Sequence, residues 1–504
     1  MFKNQPKGLY ALALANTGER FGYYTMLAVF LLFLQANFGF SVGVSGMIYS
    51  SFLGLVYFLP LFGGMAADKF GFGRMVTIGI GIMFLGYLLL SLPLGANGFA
   101  VAGMGLALLL ISFGTGLFKG NLQVMVGNLY DNPKYAGQRD AGFSVFYMAI
   151  NIGAMFAPAA AVGIMNWAQH SLGISEADSY HFAFAVACVS LIFSIYIYYF
   201  FRVTFKDADR EKTAVSKEDE VEQLSPAQTK ERIVCLCLVF AVVIFFWMAF
   251  HQNGATLTQF AKEYTATSAV GVESMLFDVV NLVLAIVVVY GLFGIFQSST
   301  NRGRAIASAV VVAAVGGLVW KYRSLTGEPV AVNAPIFQQF NPCFVVALTP
   351  VSVALFGALA KKGKEPSSPM KIGLGMLVAA VGFVLMTVGS VGLPVPAEQL
   401  ALGDAAVRVS PNWLISTYLV LTFAELLLSP IGISFVSKVA PPKYKGLMMG
   451  GWFVATAIGN FLVAIPTLLW GKSLVVVWGV LVGVCLVSAL FIFAILKRLE
   501  KVAQ

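Results

Sequence analysis

The amino-acid sequence predicts an all-α polytopic membrane protein of about fourteen helices: two six-helix bundles, a linker between them, and an extra two-helix hairpin in the second half. Three observations carry this expectation. The 504 residues are 59% hydrophobic and only 11% charged, against roughly 25% charged in a soluble domain, so water is not the main solvent. Apolar stretches recur at about 20 residues, the length that crosses a hydrocarbon core. The basic residues are also segregated. With the N-terminus inside, only Lys262, Lys321, Arg323, Arg408 and Lys472 of the 32 Lys and Arg fall outside, and only Arg20 and Lys119 fall within the membrane. That is the positive-inside asymmetry, so the net charge of +9 sets topology and implies no nucleic-acid partner.

Taken in order, the first span, 8–38, carries Asn16-Thr-Gly-Glu-Arg-Phe-Gly-Tyr-Tyr24 between apolar flanks. Ionisable groups at membrane depth cost on the order of 2.5–3.5 kcal/mol each, so they are rare and face a bundle interior or a wet cavity. Asn16, Glu19 and Tyr23 are spaced i, i+3, i+7 and share a face, with Arg20 and Tyr24 on the adjacent strip. A carboxylate, a guanidinium and two phenols are therefore expected to point at a pore. The alternative, a purely structural neutralisation of buried charge, is disfavoured by further charges in later spans.

Spans 43–67 and 75–95 are joined by a turn, Gly63-Gly-Met-Ala-Ala-Asp-Lys-Phe-Gly-Phe-Gly-Arg74. Span 100–128 holds Gly114-Thr-Gly-Leu-Phe-Lys-Gly-Asn121, whose glycines allow close backbone approach. Lys119 there needs a partner, Glu19 or Glu425, unless it snorkels to a helix end. Spans 141–166 and 181–202 complete a first domain, 1–202. The charged stretch that follows reads as a cytoplasmic linker, 203–231, before a second domain, 232–504.

In span 232–261, Trp247 and His251 share a face. His251 reads either as a proton site, since imidazole titrates near neutral pH, or as an interfacial hydrogen-bonding residue. Trp247 reads as core or as ligand contact. Spans 274–297 and 303–321 form the surplus hairpin, about 272–323, laid against the outside of the bundle with Arg302 and Arg304 in its turn. Spans 336–360 and 371–393 are linked through Lys361 to Lys371. Span 411–438 contains Thr422-Phe-Ala-Glu-Leu-Leu-Leu-Ser-Pro430. Glu425 and Ser429 share a face there, and Pro430 can break or hinge the helix. A lone carboxylate in that place can protonate, or pair with Lys119 or a ligand amine. Spans 445–469 and 473–497 close the chain.

All five cysteines lie in expected spans, with neither a disulfide framework nor metal-ligand spacing. His170, His181 and His251 are scattered, which weighs against a polytopic enzyme or receptor built on a catalytic constellation. No cofactor motif is visible. The first segment is too long and too polar for a signal peptide. The chain has no Asn-x-Ser/Thr sequon, which leans towards a bacterial inner membrane.

Together these segments resemble the proton-dependent oligopeptide transporter (POT) family of the major facilitator superfamily. The matching motifs are Glu19-Arg-Phe-x-Tyr-Tyr24, Gly63-Gly-x-x-Ala-Asp68, Gly114-Thr-Gly with Lys119, and Phe146-Tyr-x-x-Ile-Asn-x-Gly153. They continue with Phe340-Asn-Pro342, Glu425-Leu-x-x-Ser-Pro-x-Gly432 and Gly446-x-Met-Met-Gly-x-Trp-Phe453. The resemblance implies a major facilitator fold that takes up di- and tripeptides with protons as the coupling ion and no other cofactor. It implies a functional monomer in membrane lipid, with both termini cytoplasmic. Arg20, Tyr23, Tyr24, Tyr57, Lys119, Asn151, Asn341, Glu425 and Ser429 would line the peptide site, walled by Trp247, Trp452 and Phe453. Glu425 would meet the peptide amino terminus, and Arg20 and Lys119 its carboxylate. Coupling and gating would fall to Glu19, Arg20, Lys119, Glu425 and His251.

Three departures from the family pattern bear on coupling. A glutamate expected three residues before Glu19 is Asn16, an arginine expected three residues after Tyr24 is Leu27, and a glutamate expected to face it is His251. The runner-up expectations are a transporter of another small zwitterion or anion, or a peptide transporter with altered proton coupling.

Overall fold

A backbone in lipid must satisfy every N–H and C=O within its own segment, so apolar length here dictates helices. The computed structural model describes residues 5–135, 138–209 and 224–503, and among them fourteen helices are long and apolar enough to cross a membrane. They are α1 (Lys7–Phe38), α2 (Val42–Phe70), α3 (Phe72–Leu90), α4 (Gly98–Asn128), α5 (Ala141–Leu172), α6 (Glu176–Phe200) and α7 (Pro226–Tyr264). The rest are α8 (Val279–Gln297), α9 (Asn301–Arg323), α10 (Ala334–Lys361), α11 (Ser368–Gly389), α12 (Asn412–Val439), α13 (Gly446–Leu468) and α14 (Leu474–Ala494). Successive spans alternate in direction, so both ends of the described chain lie on one face, called here the terminal face.

Local chemistry sets the helix ends. Gly39 takes a left-handed φ of 66° to close α1, a conformation that costs glycine nothing. Ser41, Asn97 and Ser175 accept from backbone N–H groups that open α2, α4 and α6, satisfying donors that a helix start leaves free. Ser225 and Gln228 form a capping box around Pro226 at the start of α7. Burial pushes the Tyr130 phenol, just past α4, up to about 12, so it stays a donor at neutral pH and donates to Gln5 Oε1 at 2.6 Å.

Buried side chains fall into two cores, one of α1 to α6 with Ala255 and Val463, and one of α7, α8 and α10 to α14 with Met155. Between them α13 packs on α2, and α10 on α5. The α8–α9 pair is barely buried, with Ala314 the one buried residue of α9. It is closed by a Lys321–Asp278 ion pair at 2.5 Å and touches α10 where Tyr290 donates to the Val346 carbonyl at 3.1 Å.

Three expectations need correction. The turn expected from Gly63 to Arg74 is mostly helix: Pro60 restarts α2 with its preset φ, and only Gly71, at φ 91°, breaks the chain before α3. The linker does not begin at 203. Residues Arg202–Asp209 form a 3₁₀ segment held on the first half by buried Phe205 and Ala208, and Asp209 accepts from the Gly73 N–H at 2.6 Å. Residues 210–223 of the expected linker lie outside the described residues. Pro430 does not break α12, which runs helical through it.

Candidate functional site

The two halves enclose a cavity of about 230 Å³ near mid-depth. From the first half α1 contributes Arg20, Tyr23, Tyr24 and Leu27, α2 Tyr57, α4 Lys119, and α5 Tyr147 and Asn151. From the second come Trp247 and His251 of α7, Gln338 and Asn341 of α10, Glu425 and Ser429 of α12, and Trp452 and Phe453 of α13. Every residue expected to line the site borders this one space; Glu19 does not. Side chains from eight helices thus converge, as cavity-lining polar groups in a bundle must to be tolerated in lipid.

Glu19 is a correction to the pore-facing carboxylate. It is 0% exposed and grips Arg20 in a fork, with Arg20 Nε to Oε2 at 2.5 Å and Nη2 to Oε1 at 2.6 Å. Adjacent helical residues point about 100° apart, so only one of the two can face the cavity, and it is Arg20. The guanidinium also lies 4.7 Å from the Tyr23 ring centroid. The expected Lys119 pairing with Glu19 or Glu425 is likewise absent among the described residues. Lys119 Nζ instead sits 3.7 Å above the Tyr57 ring, a cation–π contact strengthened where water is scarce. Glu19 is already used by Arg20, and Glu425 lies on the opposite wall.

Glu425 is held by neutral donors. Asn341 Nδ2 donates to its Oε2 at 2.9 Å, and also to Thr422 Oγ1 at 3.1 Å. Tyr147, from the other half, donates to Oε1 at 3.5 Å. His251 stands where α7 tightens into a 3₁₀ turn, His251–Gly254. Its ring stacks on Trp247 at 5.1 Å, and its Nδ1 hydrogen-bonds to Asn460 Oδ1 at 2.5 Å. It lies within the cavity wall. Trp452 is seated on Gly432, where any Cβ would collide with its ring.

Tyr147 and Gln338 escaped the sequence reading. Tyr147 sits four residues before Asn151, so it shares that residue's face; this spacing inside Phe146-Tyr-x-x-Ile-Asn was the available signal. Gln338 gave none.

The cavity is sealed on the face opposite the termini. There Gly43, Gly46 and Gly54 of α2 leave room only for Leu468, Thr467 and Phe461 of α13. Gln35 donates to Gln259 Oε1 at 2.7 Å, and Gln338 to the Ala28 carbonyl at 3.0 Å. Towards the terminal face a second cavity of about 780 Å³ opens, lined by Asp68, Asp131, Arg139 and Gly446. Tyr57, Lys119, Gln123 and Phe453 border both spaces. The two halves are therefore closed together on one side and parted on the other. Among the described residues no cluster of His, Cys, Asp or Glu is suited to a metal.

A family model described as POT family matches residues 73–224 and 323–473. The chain is 26% identical over 524 residues to a di-/tripeptide transporter of Lactococcus lactis subsp. lactis, covering 99% of this chain and 96% of that protein. It is 29% identical to the peptide transporter YePEPT of Yersinia enterocolitica, over 91% of this chain and 87% of that one. A crystal structure of a POT peptide transporter in complex with sulfate superposes with a TM-score of 0.75 at 22% identity, covering 100% of this chain and 96% of the other. A POT family transporter in complex with 5-aminolevulinic acid gives 0.74 at 20% identity, covering 100% and 98%. These structural likenesses establish the fold, and the chain is an integral membrane protein.

Proposed function

We propose that this chain, which belongs to the POT family, is a proton-coupled symporter that imports di- and tripeptides by alternating access. The observation that carries the reading is charge placement across one small cavity: Arg20 and Lys119 on the first wall, Glu425 on the second. A zwitterion needs opposite charges at opposite ends, and a buried carboxylate without a cationic partner gains most from an incoming amine. Glu425 with Asn341 would take the peptide amino terminus. Lys119 and Arg20 would take its carboxylate, and the tyrosines, Asn151, Ser429, Trp247, Trp452 and Phe453 would border the backbone and side chains. The relatives named di-/tripeptide transporter and peptide transporter support the solute class. The halves, closed on one face and open on the other, support rocking about a site at the midplane.

The distribution of basic residues supports a cytoplasmic terminal face, and the bacterial relatives support the inner membrane. That a single chain encloses the whole cavity supports a working monomer. A second reading, altered coupling, is favoured by Asn16, Leu27 and His251. It leaves Glu425 as the one carboxylate on the cavity wall among the described residues, with Glu19 committed to Arg20.

The test is dipeptide uptake into proteoliposomes with and without a pH gradient, acidic on the face opposite the termini, for the parent and Glu425→Gln. Gradient-driven accumulation that disappears in the variant is the expected result. Counterflow without accumulation in the parent would select the altered-coupling reading. No dipeptide flux from folded protein would overturn the solute class.

A further inference from the structure

We propose that Gln338 is the positioning residue that ties Glu425 to closure of the sealed face. The inference rests on the reading of Glu425 as the coupling carboxylate. Gln338 lies in the 3₁₀ stretch Ala334–Gln339 that opens α10, at the wall of the site cavity. Its Nε2 donates at 3.0 Å to the Ala28 carbonyl of α1, and at 3.0 Å to the Thr258 hydroxyl of α7. One amide therefore clamps the first half to two elements of the second. Thr258 is fixed in turn, donating to the Asn253 carbonyl at 2.7 Å, and that carbonyl also accepts from Tyr418 of α12 at 2.9 Å.

Three residues along, Asn341 donates to Glu425 at 2.9 Å. Three residues make one helical turn, so the two amides move as one piece. A proton taken up by Glu425, or an amine bound there, removes or redirects the pull on Asn341 and so turns the clamp on α1. The other polar ties across the seam lack this link. Gln35–Gln259 touches no charged group of the cavity, and Asn460 reaches the Leu53 carbonyl only at 3.5 Å. No ion pair between described residues crosses the seam. Closure of the sealed face is thus held by neutral amides; Tyr147 meets Glu425 directly at 3.5 Å, and Gln338 is the sealed-face amide joined to the carboxylate through Asn341.

The experiment uses the full chain with Cys237→Ser, which removes the one exposed cysteine among the described residues, and Thr467→Cys as reporter. Thr467 is 1% exposed and packs against Gly46 across the seam, so a water-soluble maleimide reaches its thiol only when the sealed face parts. Gln338→Met keeps the volume and deletes both donated bonds. Labelling is expected to quicken about five- to tenfold, the weight of one to two net hydrogen bonds. Glu425→Gln is expected to quicken labelling in the Gln338 background and to add nothing in the Gln338→Met background, because partners in one linkage are not additive.

Additive effects of the two substitutions would overturn the proposal. So would Gln338→Met labelling at the parent rate while Gln338→Ala labels faster, since bulk and not hydrogen bonding would then matter. Gel filtration and thermal unfolding confirm that each variant is folded, and Gln338→Leu replaces Gln338→Met if the latter is not. Labelling needs no solute, so a parent that fails to move dipeptides would sink the transport reading while this readout still stands.

Discussion

The two walls of the cavity meet the cost of buried charge in opposite ways. On the first, Arg20 is neutralised by its own neighbour Glu19, and Lys119 rests on a tyrosine ring. On the second, Glu425 stands alone among neutral donors, Asn341 and Tyr147. Formally the first wall sums to one positive charge and the second to one negative. The first wall is self-sufficient, whereas the second is completed only by a proton, by an amine, or by reaching across to Tyr147. This places sensitivity to the proton and to the solute amine on the second half, and the sensitivity of the fold to a lost charge on the first.

The largest effect should come from breaking the self-sufficient pair. Glu19→Gln strands Arg20 at full burial, and loss of one member of such a pair costs about 3–5 kcal/mol. Thermal unfolding in detergent should show a clear fall in Tm, with much of it regained in the Glu19→Gln/Arg20→Gln double variant. A single variant as stable as its parent would show that the first wall is not internally balanced.

Next comes the lone carboxylate. Glu425→Gln should cut gradient-driven accumulation on the order of a hundredfold, the weight of a charge-assisted contact. The sign of the pH effect follows: parent uptake rises as the face opposite the termini is acidified, and the variant should be flat. Lys119→Gln should weaken binding of a free-carboxylate dipeptide about tenfold, through loss of one charge-assisted bond. Calorimetry with the amide-capped dipeptide should give the same affinity for parent and variant; a loss there too would remove Lys119 from the carboxylate end. Smallest is Tyr147→Phe, which deletes the one bridge from the first wall to Glu425. At 3.5 Å that contact is weak, so counterflow should slow only about two- to fivefold.

The spans were legible because hydropathy over a bilayer's thickness is a long, redundant signal, and the weakly buried hairpin α8–α9 stood out by its uncharged runs. Most of the cavity was legible too, since Arg20, Lys119 and Glu425 are expensive in lipid and announce themselves. The direction of Glu19 was not. Adjacent helical residues diverge by an angle that sequence spacing records, but which of the two faces the cavity depends on how α1 rotates against α5 and α6. Lys119 was assigned a carboxylate because charge seeks charge, yet a tyrosine ring one helix away satisfied it. Gln338 was invisible: a neutral amide carries no cost signal, and its meaning arises only where three helices meet.

Lys119 borders both the site and the wide vestibule beyond it. Anything leaving by the open face must pass that ammonium, fixed over its ring. A lysine-bearing peptide is hurried along by like-charge repulsion, whereas an aspartate-bearing one is detained. Ranking of peptides by side-chain charge therefore belongs to departure more than to capture. It would be seen in dwell times before release, even among peptides that bind the site equally well.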